Sequence, residues 1–135
     1  AASILPVGPM QRARARQFAE MINSGVQPLQ NLSVLQHLKV GWGTDGKAWG
    51  RQVIQRGLDA LELSAAEGAI GRFLVGDEPT IADICLVPQL YNARRFGCDL
   101  SGWRRLLQVE AACQALPAFE QTKPERYEHA ASSAA

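Results

Sequence analysis

Long apolar runs are absent from this sequence. No segment approaches the ~18 consecutive apolar residues that a membrane-spanning helix needs, and residues 1–9 do not pair a charged start with an apolar stretch as a secretory leader would. Both absences predict a soluble, cytoplasmic protein with no membrane partner. An excess of one charge is missing too. Lys and Arg number 14 against 13 Asp and Glu, for a formal net charge of +1, which leaves no broad basic field for nucleic acid and no acidic excess typical of a disordered chain. Sulfur and imidazole are scarce. The three cysteines, Cys85, Cys98 and Cys113, are odd in number and far apart, a pattern that argues against a disulfide framework or a zinc site. They read as reduced thiols, with Cys85 and Cys113 as small buried hydrophobes. The two histidines, His37 and His129, have no Cys or Asp placed to form a nucleophile–base pair. The GxxxxGK phosphate loop, the GxGxxG dinucleotide turn and the HExxH zinc helix are all lacking. No metal site is expected within these 135 residues.

Helical periodicity fills what those absences leave open. Residues 1–9 form a loop-like linker, after which Ala15, Phe18, Ala19 and Ile22 recur at i, i+3, i+4 and i+7, with Arg12, Arg16 and Glu20 on another face. Gly25 ends that helix. Pro28 can open a second through Leu29, Leu32, Val34, Leu35 and Leu38, because proline's missing N–H costs nothing in a first turn. Glycines 41, 43 and 46 predict a loop, followed by a long helix whose stripe is Trp49, Val53, Ile54, Leu58, Leu61 and Ala65. Gly57 lies on that apolar face at a cost of about 1 kcal/mol relative to Ala, which predicts close approach of another helix. Phe73-Leu74-Val75 is too short to build a sheet around and has no second strand to pair with.

The stretch GDEPTIADICLVPQLYNARRF, residues 76–96, carries the strongest local signals. Thr80 followed three residues later by Asp83 has the capping-box arrangement, in which the hydroxyl accepts a helical N–H and the acid reaches back. Pro88 falls inside the helix that follows and predicts a bend. Ser101 can cap a further helix with the stripe Leu106, Val109, Cys113 and Leu116, and Pro117 can open a last short turn around Phe119. Residues 123–135 are polar or small and are expected to form a flexible tail. The sum is an all-α bundle of five or six helices over residues 10–122. One constellation departs from simple packing: Asn92, Arg94, Arg95 and Phe96 at the end of the proline-bearing helix. Arginine's planar fork suits a carboxylate; both arginines could equally complement the negative end of the helix dipole.

GVQPLQNLSVL (residues 25–35) and FLVGDEPTIADICLVPQLYNARRFGCDL (73–100), followed by LPAFEQTKPE, resemble the C-terminal helical domain of zeta-class glutathione transferases, the maleylacetoacetate isomerases and the related maleylpyruvate isomerases. The Thr80–Asp83 segment is shared across glutathione transferases, whereas QPLQNLSVL together with LVPQ-x-x-NA-x-RF points to the zeta class. The resemblance implies the C-terminal bundle of that fold, substrate binding and homodimerisation, and glutathione-dependent cis–trans isomerisation of a small unsaturated dicarboxylate. It implies a carboxylate-binding role for Arg95, since Arg94 occupies the variable position of the motif, and contacts to glutathione from Gln27 and Asn31. For those two amides, capping and loop tying are the competing roles. These enzymes also have an N-terminal thioredoxin-like domain whose Ser-Ser-Cys segment activates the cofactor. Nothing in this chain matches that domain, so no catalytic residue is assigned here, and Cys98 does not correspond to the family's catalytic cysteine. A non-catalytic helical docking or assembly module is the alternative function.

Overall fold

The apolar stripes read along the chain converge on one core. The computed structural model describes residues 3–68 and 71–127, which contain α1 (Pro9–Asn23), α2 (Gln27–Gln30), α3 (Leu32–Trp42), α4 (Gly46–Glu67), α5 (Ile81–Phe96), α6 (Arg104–Gln114) and α7 (Pro117–Gln121). Among the described residues there is no strand, and α2 and α7 are single turns. Helix α5 is central and packs on α1, α4 and α6. The α1 stripe is buried as the periodicity requires, at Ala15, Phe18, Ala19 and Ile22, and meets Ile54, Leu58 and Leu61 of α4 and Leu86 and Leu90 of α5. Phe73, Leu74 and Val75 are buried in an irregular connection. Each such side chain contributes about 1.5–3 kcal/mol on leaving water.

Helix starts account for most departures from expectation. The second helix is not continuous: Asn31 adopts an extended conformation (φ −60°, ψ 142°) and its Oδ1 accepts from Ser33 N at 3.1 Å, so Gln27–Gln30 and Leu32–Trp42 are separate. The glycine loop is shorter than residues 41–46. Helix α3 runs on to Trp42, Gly43 ends it in the left-handed region (φ 65°), and Gly46 already belongs to α4, whose N-cap Asp45 accepts from Lys47 N at 2.9 Å and Ala48 N at 3.3 Å. Ser101 caps nothing. Helix α6 starts after Trp103 without a side-chain cap of its own; Ser101 N instead donates to Asp99 Oδ1.

Two expectations gain detail. A Cβ on Gly57 would overlap Val26, so the close approach is real, but its partner is the residue at the α2 N-cap position. Pro88 sits within α5, which continues to Phe96. The lead-in is attached to the bundle: Ile81 N donates to Ile4 O at 2.9 Å and Leu5 packs against the core, while α1 begins at Pro9. Within the expected tail, residues 123–127 are tied to α7, with Tyr127 Oη donating to Gln121 O at 3.0 Å. Residues 128–135, His129 among them, lie outside the described residues. No described helix is long and apolar enough to cross a membrane.

Candidate functional site

The two neighbouring arginines at the end of α5 have different fates, because successive helical residues point about 100° apart. Arg94 faces α6 and forms a forked pair with Glu110, Nη1 to Oε1 at 2.7 Å and Nη2 to Oε2 at 2.6 Å. The Glu110 side chain is only 7% exposed, against 46% for Arg94. This bidentate pairing raises the Arg94 guanidinium above its ordinary value, outweighing the opposite effect of burial. Arg95 is exposed and makes no ion pair or hydrogen bond among the described residues.

Arg95 stands on the ridge between two hollows. One, of about 810 Å³, lies between α5 and the α7 region and has apolar walls from Ile84, Val87, Pro88 and Phe119; Arg94, Arg95 and Glu110 share its lining. The other, of about 890 Å³, is bounded by α3, the start of α4 and the end of α5, with Lys39, Lys47 and Arg95 as its cations. An apolar hollow with a few convergent polar groups is the ordinary form of a small-molecule site. A cation there can hold and orient a carboxylate.

The sequence-predicted residues are only partly brought together. Gln27 is exposed on the first turn of α2 and lines neither hollow. Asn31 is flanked by Gln30 and Leu32, which line the second hollow, but its Oδ1 is committed to Ser33 N and Oγ, both at 3.1 Å. Thr80 and Asp83 form the expected box at the opposite end of α5. Thr80 N donates to Asp83 Oδ2 at 2.7 Å, and Thr80 Oγ1 accepts from Ala82 N at 3.2 Å. The box is structural and far along the helix from Arg95.

No thiol is activated. Burial pushes Cys85 and Cys98 up from their ordinary range, and Cys113, fully buried, is pushed up to about 12. Cys98 is half-buried, with its thiol against the Arg51 carbonyl.

Several residues that shape the site escaped the sequence reading. Glu110 was detectable as an acid falling four residues after Leu106 and three before Cys113 on a buried stripe. Gln30 and Gln89 were not: their amides exchange hydrogen bonds at 2.8 and 3.1 Å in the interior, fastening α2 to α5 beside the second hollow. Glu62 of α4 is likewise a tertiary partner, accepting from Arg105 N and Leu106 N.

The bundle and its cation-bearing end define a class. Residues 11–120 match the glutathione S-transferase C-terminal domain, and the chain belongs to that family. Its relatives sharpen the class. It is 43% identical over 123 residues to the probable maleylacetoacetate isomerase 1 of Drosophila melanogaster, covering 90% of this chain and 48% of that protein. Among solved structures it is similar to maleylacetoacetate isomerase from Anaeromyxobacter dehalogenans 2CP-1, at TM-score 0.87 and 50% identity, covering 91% of this chain and 56% of that one. That enzyme has been crystallised with glutathione in its active site, and with dicarboxyethyl glutathione and citrate there. Maleylpyruvate isomerase from Pseudomonas aeruginosa PAO1 follows at TM-score 0.85 and 38% identity, covering 91% of this chain and 66% of that one. The chain spans about half the length of the curated relatives it matches.

Proposed function

We propose that this chain is the substrate-binding and dimerisation half of a glutathione-dependent cis–trans isomerase acting on a small unsaturated dicarboxylate of the maleylacetoacetate or maleylpyruvate type. The observation that carries the reading is the division of labour between the arginines: Arg94 is consumed by Glu110, and Arg95 is left as a cation over two hollows. A relative crystallised with dicarboxyethyl glutathione and citrate in its active site supports an active site that holds anionic groups.

Arg95, at the end of α5, binds one substrate carboxylate and offsets negative charge that grows on the substrate as the double bond is opened. The apolar walls of the 810 Å³ hollow, Ile84, Val87, Pro88 and Phe119, suit the unsaturated carbon chain. Glutathione, when bound, supplies the thiol that adds reversibly to the double bond and so permits rotation. This chain's fit to that tripeptide is modest but chemically sound. The Gln27 amide has no hydrogen-bond partner among the described residues and can both donate and accept, whereas Asn31 retains only its Nδ2 for a ligand. The groups that activate the thiol belong to a thioredoxin-like partner domain. Exposed apolar residues on α3, Val40 at 87% and Trp42 at 76%, suit contact with a second copy. Three free thiols fit a reducing, cytoplasmic setting.

The test joins this chain to the N-terminal half of the Anaeromyxobacter relative and measures isomerisation of maleylacetone and maleylpyruvate. The joined enzyme turns over at least one of them, and the 135-residue chain alone neither. Arg95→Ala lowers kcat/KM by roughly 10- to 1000-fold, about 1.4–4 kcal/mol of transition-state binding, and Arg94→Ala much less. Turnover by the chain alone would overturn this assignment of roles, a silent Arg95→Ala would remove Arg95 as the anchor, and a joined enzyme that turns over neither substrate would favour a non-catalytic helical module.

A further inference from the structure

Glu110 is an acid in an awkward place for an anion site. It is buried, it lines the 810 Å³ hollow that Arg95 also lines, and a bare carboxylate there would repel the carboxylate that Arg95 is suited to hold. The other charges around the hollow are Arg94, Lys123 and Glu125. Lys123 is paired with Glu120, and Glu125 is exposed and so screened by solvent. Glu110 is therefore the negative group that matters. Both of its oxygens are clamped by Arg94.

We propose that Arg94 is a charge mask: by clamping Glu110 it keeps the hollow receptive to an anion at Arg95, acting on binding through Glu110 and without touching the ligand. This rests on the reading of Arg95 as the carboxylate anchor. Three consequences separate a mask from a plain structural tie. Removing Arg94 alone exposes the repulsion. Neutralising Glu110 alone leaves a second cation in the hollow. Removing both returns the hollow to its original net charge.

The test is an NMR titration of the 135-residue chain with succinate at constant ionic strength, with neutral succinamide as the control. One unit charge acting through a water-like medium over roughly 6 Å changes an affinity about threefold, which sets the scale. Arg94→Gln weakens succinate binding about threefold or more, Glu110→Gln tightens it by a similar factor, and Arg94→Gln/Glu110→Gln binds within about twofold of the unaltered chain. Succinamide binding is the same in all four proteins. Should Arg94→Gln fail to fold because Glu110 is left buried and unpaired, Glu110→Gln and the double variant, in which no charge is left unpaired, carry the test: tightening in the first is an effect that loss of a structural tie does not produce, and native-like affinity in the second shows that Arg94 does not touch the ligand. Unchanged affinity in Glu110→Gln overturns the mask while leaving Arg95 as the anchor. A double variant as weak as Arg94→Gln shows that Arg94 touches the ligand itself and also overturns it. No response of the unaltered chain to succinate removes the anchor, and the mask with it.

Discussion

The starts of α5 and α6 face the same physical demand and meet it differently. Each helix leaves its first N–H groups without intrahelical partners. At α5 the partners lie within three residues, in Thr80 and Asp83, and the same Asp83 also accepts from Leu74 N at 2.9 Å, sewing the preceding irregular segment to the helix. At α6 nothing nearby helps. Glu62, from α4, accepts from Arg105 N at 2.8 Å and Leu106 N at 2.9 Å, and Asp59, three residues earlier on α4, accepts from Trp103 Nε1 at 2.6 Å. A local cap can form before the bundle does, whereas the α6 cap exists only once α4 and α6 are docked. The difference teaches that a missing cap in a sequence does not mean an uncapped helix.

Breaking the hub of the α5 cap should have the largest effect. Asp83→Ala leaves Leu74 N and Thr80 N buried without acceptors, and chemical denaturation should show a loss of about 3 kcal/mol or more. Glu62→Ala removes a charged acceptor from two helical N–H groups of α6 and should cost about 2 kcal/mol. Its hydrogen-exchange signature sharpens the contrast: the first turn of α6 loses protection, while α5 keeps its own. Thr80→Ala should cost ~1 kcal/mol, up to about 2, with Thr80→Ser nearly neutral. Glu62→Asp, by contrast, should behave like Glu62→Ala, because a shortened side chain no longer reaches across the interface. If Thr80→Ala leaves the denaturation midpoint unmoved, the local cap contributes nothing and the comparison collapses.

An effect that is absent at neutral pH concerns the buried end of the α6 stripe. With Cys113 pushed up to about 12 by burial, from an ordinary value of 9.0, a thiol reagent at pH 8 should label it only after unfolding. The sign for stability follows from the raised value. The Cys113 contribution is intact below pH 9, where both states keep the proton, and erodes as pH rises toward 12, because the unfolded thiol ionises first. Comparing denaturation midpoints at pH 8 and pH 10.5 for the native chain and Cys113→Ala should show a smaller drop in the variant.

Legibility along this chain tracks distance in sequence. The α1 stripe, the α5 capping box, the opening of α7 by Pro117 and the all-α class were all readable, because each depends on side chains within a turn or two of one another. The α2–α3 break at Asn31 was local as well, but its asparagine competes as a cap inside an otherwise continuous apolar pattern, so periodicity alone ran through it. At the site, the motif resemblance singled out Arg95, but what Arg94 does was invisible. Its partner is 16 residues away on the next helix, and two adjacent arginines look alike until the facing surface is known.

The sequence by itself thus determined the helical class, which faces of α1, α4 and α6 turn inward, and the local start of α5. Only the tertiary structure decided that Glu110 neutralises Arg94, that Gln30 and Gln89 satisfy one another across 59 residues, that Gly57 admits Val26, and that α4 caps α6. Hydrophobic periodicity states which side of a helix leaves water, but burial is non-directional and names no partner. A buried polar group does require a specific partner, and that partner is chosen by which helices come together.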